Sequence, residues 1–190
     1  VQSTAARRWS SQINAILSMI GQLSGLGVSV PGGFATTADA FKDFIAHNTL
    51  HARIYEKLAT VDVEDVPALT AAGAEIRGWV IDAPLQRELD ADIRTAYVQL
   101  CADAGAEDIA VAVRSSATAE DLPGASFAGQ QDTYLNVRGD GSLLDHVRRC
   151  WASLWTARAI LYREKNGFAH GDVSLAVVVQ EMFPSEVSGV

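Results

Sequence analysis

The chain has 190 residues, with 15 Lys and Arg against 23 Asp and Glu and a formal net charge of −8. That acidic balance argues against non-specific attachment to nucleic acid or to an anionic membrane, which needs clustered Lys and Arg. It leaves nucleotides open, because a phosphate site needs only a few local donors. At 48% hydrophobic and 20% charged residues the composition is that of one folded domain or a large piece of one, and no apolar run approaches the roughly 20 residues of a membrane span.

Ile13, Ile16, Leu17, Ile20, Leu23 and Leu26 recur at helical spacing, and Gly27 follows as a stop, which predicts a first helix. Residues 28–34 hold Pro31, Gly32 and Gly33 and read as a turn-rich extended segment. Thr37 is placed to cap a helix running to about His47, with Phe41, Phe44 and Ile45 on its inner face. A shorter helix follows around Ile54, Tyr55 and Leu58. Asp65 and Pro67 open another that carries Leu69, Ile76, Trp79 and Val80. Pro84 is expected to start the next, where Leu85, Leu89, Ile93 and Tyr97 form one stripe. Residues 109–113 form a short apolar run, predicting a buried strand that ends at Arg114, and residues 133–137 alternate and predict a second strand. Ser142 is expected to cap a long amphipathic helix through Leu143, Val147, Trp151, Leu154, Trp155 and Leu161, closed by Gly167. Residues 174–182 are the most hydrophobic strand candidate. The order predicts an α+β fold with helices packed on a mixed sheet. The chain stops just after that last strand, which we read as truncation of a larger fold.

Cys101 and Cys150 fall within amphipathic patterns and are expected to be buried free thiols, a usage that fits a reducing cytoplasm. The four histidines are scattered among polar neighbours. His47 and His51 are four apart but lack a third ligand nearby, so they read as surface residues. Trp151 and Trp155 are expected in the core. Arg148, Arg149, Arg158 and Arg163 are expected on a solvated helix face. Arg7 and Arg8 are followed by no apolar core, so the amino end does not read as a secretory signal.

The stretch richest in chemistry is residues 113–137, VRSSATAEDLPGASFAGQQDTYLNV. A strand delivers Arg114, followed by the small hydroxyl donors Ser115, Ser116 and Thr118 and by the carboxylates Glu120 and Asp121. Pro123, Gly124 and Gly129 make a pliant loop, and Gln130, Gln131, Asp132 and Thr133 lead into the next strand. Arginine offers a fixed fork of donors that suits phosphate oxygens. Gly and Ser let backbone N–H groups come close to an anion. Carboxylates nearby would orient Arg114 or hold magnesium. By composition alone, a surface loop with Arg114 paired to Glu120 or Asp121 fits equally well.

That stretch closely resembles the nucleotide-loop signature of phosphoenolpyruvate synthases. Four further segments are similar to the same family in the same order: GLGVSVPGGFATTADAF, AGAEIRGWVIDAP, RAILYREKNGF and VVVQEM with SGV after it. The resemblance runs from about residue 12 to the end. The related pyruvate phosphate dikinases typically read GMMDT where this chain has GQQDT. The resemblance implies an ATP-grasp-like amino-terminal nucleotide-binding subdomain, so that residues 1–190 form part of an ATP-binding domain. In the family the clamped ATP phosphorylates a histidine on a swivelling domain, and a carboxy-terminal barrel then phosphorylates pyruvate, with magnesium. Arg114 matches the arginine that contacts ATP phosphates. Ser115, Ser116 and Thr118 follow it, and Gly129, Gln130, Asp132 and Thr133 belong to the loop that covers the phosphates. Gln180, Glu181 and Met182 match the strand end lying against the adenine, although the family usually has Arg or Lys at the position of Glu181. A backbone contact would survive that change.

One departure from the family stands out. Where it carries Gly-Gly-Lys before the first helix, with the lysine on the ATP phosphates, this chain has Ser10, Ser11 and Gln12, and Gln12 supplies no positive charge. The family's phosphorylated histidine, in a Thr-Ser-His-Ala type motif, has no counterpart here, and the metal-binding carboxylates and pyruvate barrel are expected beyond residue 190. Complete synthase activity is therefore not expected of these residues, with ATP the ligand, pyruvate a partner only of the full-length enzyme, and the oligomeric state left open. Two other readings are a fragment of a rifampin-phosphotransferase-type dikinase and a non-catalytic remnant or interaction module.

Overall fold

The computed structural model describes residues 31–117 and 132–183. The predicted first helix lies outside the described residues. Within them the chain runs β1 (Gly33–Thr36), α1 (Ala38–His47), α2 (Leu50–Leu58), α3 (Val66–Asp82), α4 (Arg87–Asp103), β2 (Val111–Ala117), β3 (Thr133–Val137), α5 (Asp140–Ala152), α6 (Ala157–Lys165) and β4 (Leu175–Glu181). Helices pack on one sheet, as expected of an α+β fold. The strand order is β1-β4-β2-β3, and all three described pairings are antiparallel rather than mixed.

Helix starts follow local chemistry. The Thr37 hydroxyl accepts from the Ala40 N–H at 3.1 Å, and the Asp65 carboxylate accepts from the Ala68 N–H at 3.0 Å, with Pro67 in the first turn of α3. The start of α4 falls three residues after Pro84, because Ala83 and Gln86 are extended (ψ 137° and 144°). The expected long helix is split. Gly139, with φ +77°, leads into α5 in place of Ser142, and α5 ends at Ala152. A 3₁₀ turn spans Ser153–Trp155, and Thr156 turns extended (ψ 147°) and caps α6 through a bond from the Ala159 N–H at 3.2 Å. Gly167 closes α6 with φ +68°, as predicted.

The core forms between the helices and one face of the sheet. Leu175, Val177 and Val179 of β4 join Val111 and Val113 of β2 there, all fully buried. Trp151 of α5 packs on Phe41 and Phe44 of α1 with ring centroids 5.8 and 4.9 Å apart. Helix α3 approaches the 153–157 segment so closely that a Cβ on Gly73 would lie 2.6 Å from the Trp155 carbonyl oxygen. Both cysteines are buried free thiols, and no helix among the described residues is long and apolar enough to cross a membrane.

Arg163 departs from the solvated face expected of it. Only 1% of it is exposed. Its guanidinium lies against the Trp155 ring and donates to the Leu154 carbonyl at 2.6 Å and to His170 Nδ1 at 2.9 Å. Burial pulls its pKa down to about 10. The 3₁₀ turn His170–Asp172 folds back over α6 and covers it, a tertiary return that helical periodicity alone does not show. His170 is itself largely buried and pairs with Glu164 at 2.8 Å, whereas His47 and His51 are exposed.

Candidate nucleotide-binding face of the sheet

Strand β2 does not end at Arg114; it continues to Ala117. Arg114 therefore stands in the middle of a strand, on a fixed backbone. Successive side chains of a strand point to opposite faces. With Val111 and Val113 in the core, Ala112, Arg114 and Ser116 lie on the other face, away from α5. The register completes that face. Arg114 pairs with Thr133 of β3 on one side and Val178 of β4 on the other, and Gln180, one step along the same face, pairs with Ala112 and Gly33. Arg114 and Thr133 are exposed. Their strands are neighbours, about 4.8 Å apart by sheet geometry, so guanidinium and hydroxyl can reach one set of oxygens. The same face carries Ala35, Gly33, Ala112, Ala176 and Val178, of which Ala112, Ala176 and Val178 are buried. Among the described residues no carboxylate forms an ion pair with Arg114.

Other expected site residues are placed differently. Ser115 faces the helices, and its hydroxyl donates 3.1 Å to the Asp132 carbonyl oxygen. Asp132 also turns to the helix side. Its carboxylate accepts from the Tyr134 hydroxyl at 3.0 Å and pairs with Arg77 Nη2 of α3 at 3.5 Å. The buried Cys150 thiol lies 3.7 and 3.8 Å from the Val113 and Asp132 carbonyl oxygens. Burial raises its pKa to about 12, and burial followed by the bond to Asp132 raises that of Tyr134. The structure thus brings Arg114, Ser116, Thr133 and Gln180 to one face and puts Ser115 and Asp132 on the other. Gln12, Thr118, Gly129 and Gln130 lie outside the described residues, as do Glu120 and Asp121.

At the end of β4, Glu181 and Met182 are half-buried. The Glu181 N–H donates to the Gly32 carbonyl and the Met182 N–H to the Ala110 carbonyl, each at 2.9 Å. A ligand at this strand end would meet carbonyls or side chains rather than these two N–H groups. Glu181 borders a cleft of about 360 Å³ with Gly32, Gly33, Leu100, Asp103 and Ala104. Gly33 has no room for a side chain, since a Cβ would lie 2.5 Å from the Val179 carbonyl oxygen.

Sequence reasoning did not single out Arg77 and Tyr134, which hold Asp132. Arg77 lies within AGAEIRGWVIDAP, a segment that entered only through its family resemblance. Its partnership with Asp132 spans 55 positions, and no local pattern announces it.

Among the described residues, the sheet thus sets an exposed arginine with no ion pair beside an exposed threonine, with helices packed on its other face. The chain belongs to the family described as pyruvate phosphate dikinase, AMP/ATP-binding domain, which matches residues 14–190; its fold is the ATP-grasp-like, α+β type. Among curated proteins it is 50% identical over 186 residues to the phosphoenolpyruvate synthase of Neisseria meningitidis serogroup B, covering 98% of this chain and 23% of that protein. It is 54% identical over 170 residues to the phosphoenolpyruvate synthase of Escherichia coli, covering 90% and 21%. It is 48% identical over 171 residues to the probable phosphoenolpyruvate synthase of Methanothermobacter thermautotrophicus, covering 90% and 25%. The chain spans about a fifth to a quarter of the length of these relatives.

Proposed function

We propose that the chain is the ATP-binding portion of a cytoplasmic phosphoenolpyruvate synthase, and that Arg114 and Thr133 hold the nucleotide's phosphates. The observation that carries this reading is the pair of exposed side chains Arg114 and Thr133 on neighbouring strands, with no ion pair to Arg114 among the described residues. A guanidinium in that setting has its fork available for two phosphate oxygens, and the Thr133 hydroxyl can donate to a third. Fixed donors stabilise the charge that moves onto the phosphates as the terminal groups leave. Guanidinium and hydroxyl donors suit an anion, and magnesium would accompany the nucleotide, as Mg-ATP. In the whole protein, one phosphoryl group taken from ATP would pass on to pyruvate and another to water, giving phosphoenolpyruvate, AMP and phosphate.

The test is a thermal melt with Mg-ATP. Ligand at 100 times its Kd adds about 2.7 kcal/mol of stability. For a chain of this size that corresponds to a rise of roughly 5–11 °C. Arg114→Met should abolish the rise while leaving the ligand-free Tm nearly unchanged, since the side chain is exposed. A flat wild-type response at millimolar Mg-ATP refutes the proposal. Because Gln12 stands where the family has lysine, Gln12→Lys should enlarge the rise.

A further inference from the structure

Asp132 sits where the segment joining β2 to β3 re-enters the sheet, and the helix side holds it firmly. Arg77 Nη2 and the Tyr134 hydroxyl meet the same carboxylate oxygen at 3.5 and 3.0 Å, and the Ser115 hydroxyl meets the Asp132 carbonyl oxygen at 3.1 Å. Side chains along a strand alternate, so holding Asp132 and Tyr134 toward the helices holds Thr133 on the opposite face. There Thr133 lies directly across from Arg114. A slip of one residue would carry Thr133 to the core side and bring a carboxylate up beside Arg114. In the rest of β3, Val137 is buried in the core, but the strand lies at the edge of the described sheet, its pairing with β2 is irregular between Val111 and Val113, and Leu135 is 54% exposed.

We propose that Arg77, acting through Asp132 and supported by Tyr134, is a positioning residue for nucleotide binding: it sets the start of β3 so that Thr133 and Arg114 present their donors on one face. This rests on the reading of that face as the phosphate site. It assigns Asp132 the role of anchor rather than ligand contact. The Arg77 and Asp132 side chains are 35% and 34% exposed. An ion pair that wet contributes little to stability, so its effect belongs in geometry. Among the described residues, Arg77 Nε is buried without an acceptor, and Asp132 is the carboxylate paired with the guanidinium.

The experiment measures the Kd for Mg-ATP by calorimetry on the 190-residue chain and on Arg77→Met, Arg77→Lys and Tyr134→Phe. Deuterium uptake of peptides covering residues 132–137 and 175–181 is followed without nucleotide. Arg77→Met should raise the Kd about three- to fivefold, and Arg77→Lys, which keeps the cation opposite Asp132, should recover most of the loss. The ligand-free Tm should stay within about 2 °C. Uptake over 132–137 should quicken in Arg77→Met, and uptake over 175–181 should not change. Wild-type binding with an Arg77→Met Kd within twofold of it overturns the proposal, as does unchanged uptake over 132–137. If the wild type binds no ATP, the phosphate-site reading fails, and the uptake comparison decides the positioning of β3 by itself. Asp132→Asn that weakens binding of Mg-ATP but not of metal-free ATP would make Asp132 a metal contact and overturn the anchor.

Discussion

Replacing Gly73 by alanine should destabilise the protein, while the same change at Gly78, five residues along the same helix, should stabilise it. At Gly73 the new Cβ would lie 2.6 Å from the Trp155 carbonyl oxygen and 3.4 Å from the Ala157 nitrogen. Both are backbone atoms and cannot swing aside. The turn that carries them is pinned as well, because Leu154 and Trp155 are buried and the Arg163 guanidinium holds the Leu154 carbonyl at 2.6 Å. Helix α3 would have to back away from the turn. Overpacking of this kind costs about 1–3 kcal/mol. Alanine's helix propensity returns about 1 kcal/mol. The expected net loss is about 0–2 kcal/mol, or up to roughly 8 °C in Tm for a chain of this size. At Gly78 nothing lies within 4 Å of the new Cβ, so propensity alone remains, a gain of about 0.5–1 kcal/mol. Urea unfolding of both variants, with m-values compared to confirm a common unfolded state, gives the two shifts. Gly73→Ala above wild-type stability, or two variants shifting together, refutes the close-approach account.

Two further outcomes follow from the buried pair beside that turn. Arg163→Met should cost about 3 kcal/mol, since the Leu154 carbonyl and His170 Nδ1 lose their donor in a dry site; a loss under about 0.5 kcal/mol in urea unfolding would mark a surface residue instead. Stability should also fall in mild acid. Burial, then the Arg163 charge, lowers the His170 pKa from 6.5, opposed by Glu164. The unfolded chain therefore takes up the proton first, and the His170 contribution, complete above pH 6.5, is lost as the pH falls below it toward the folded-state value. Urea midpoints between pH 7.5 and 5 should show the decline, and His170→Gln should flatten it.

Local chemistry carried much of the fold. Thr37 and Asp65 cap where their side chains suggested, β3 covers residues 133–137, and β4 lies within residues 174–182. What stayed hidden depended on distant neighbours. The four-residue strand that begins at Gly33 reads only as part of a turn-rich extended segment until β4 pairs with it. Arg163 reads as solvated until the 170–172 turn covers it. The break at Thr156 hides inside an unbroken apolar period, because Thr156 serves that pattern as well as it serves as a cap. At the candidate site, Arg114 was legible from residue type and family resemblance. Its place mid-strand, and the division of Ser115 and Asp132 from Thr133 between two faces, came from the pairing register.

The strand order carries a consequence for how this polypeptide is made. The last described strand slots between the first and the second, joining Gly33 to Gln180 and Val111 to Glu181. During synthesis both earlier strands wait with an unsatisfied edge until residue 181 has left the ribosome tunnel. Closing contacts so far apart in the chain is slow, and bare edges invite pairing between nascent chains. The helices that precede the final strand therefore shelter an unfinished sheet until that strand emerges.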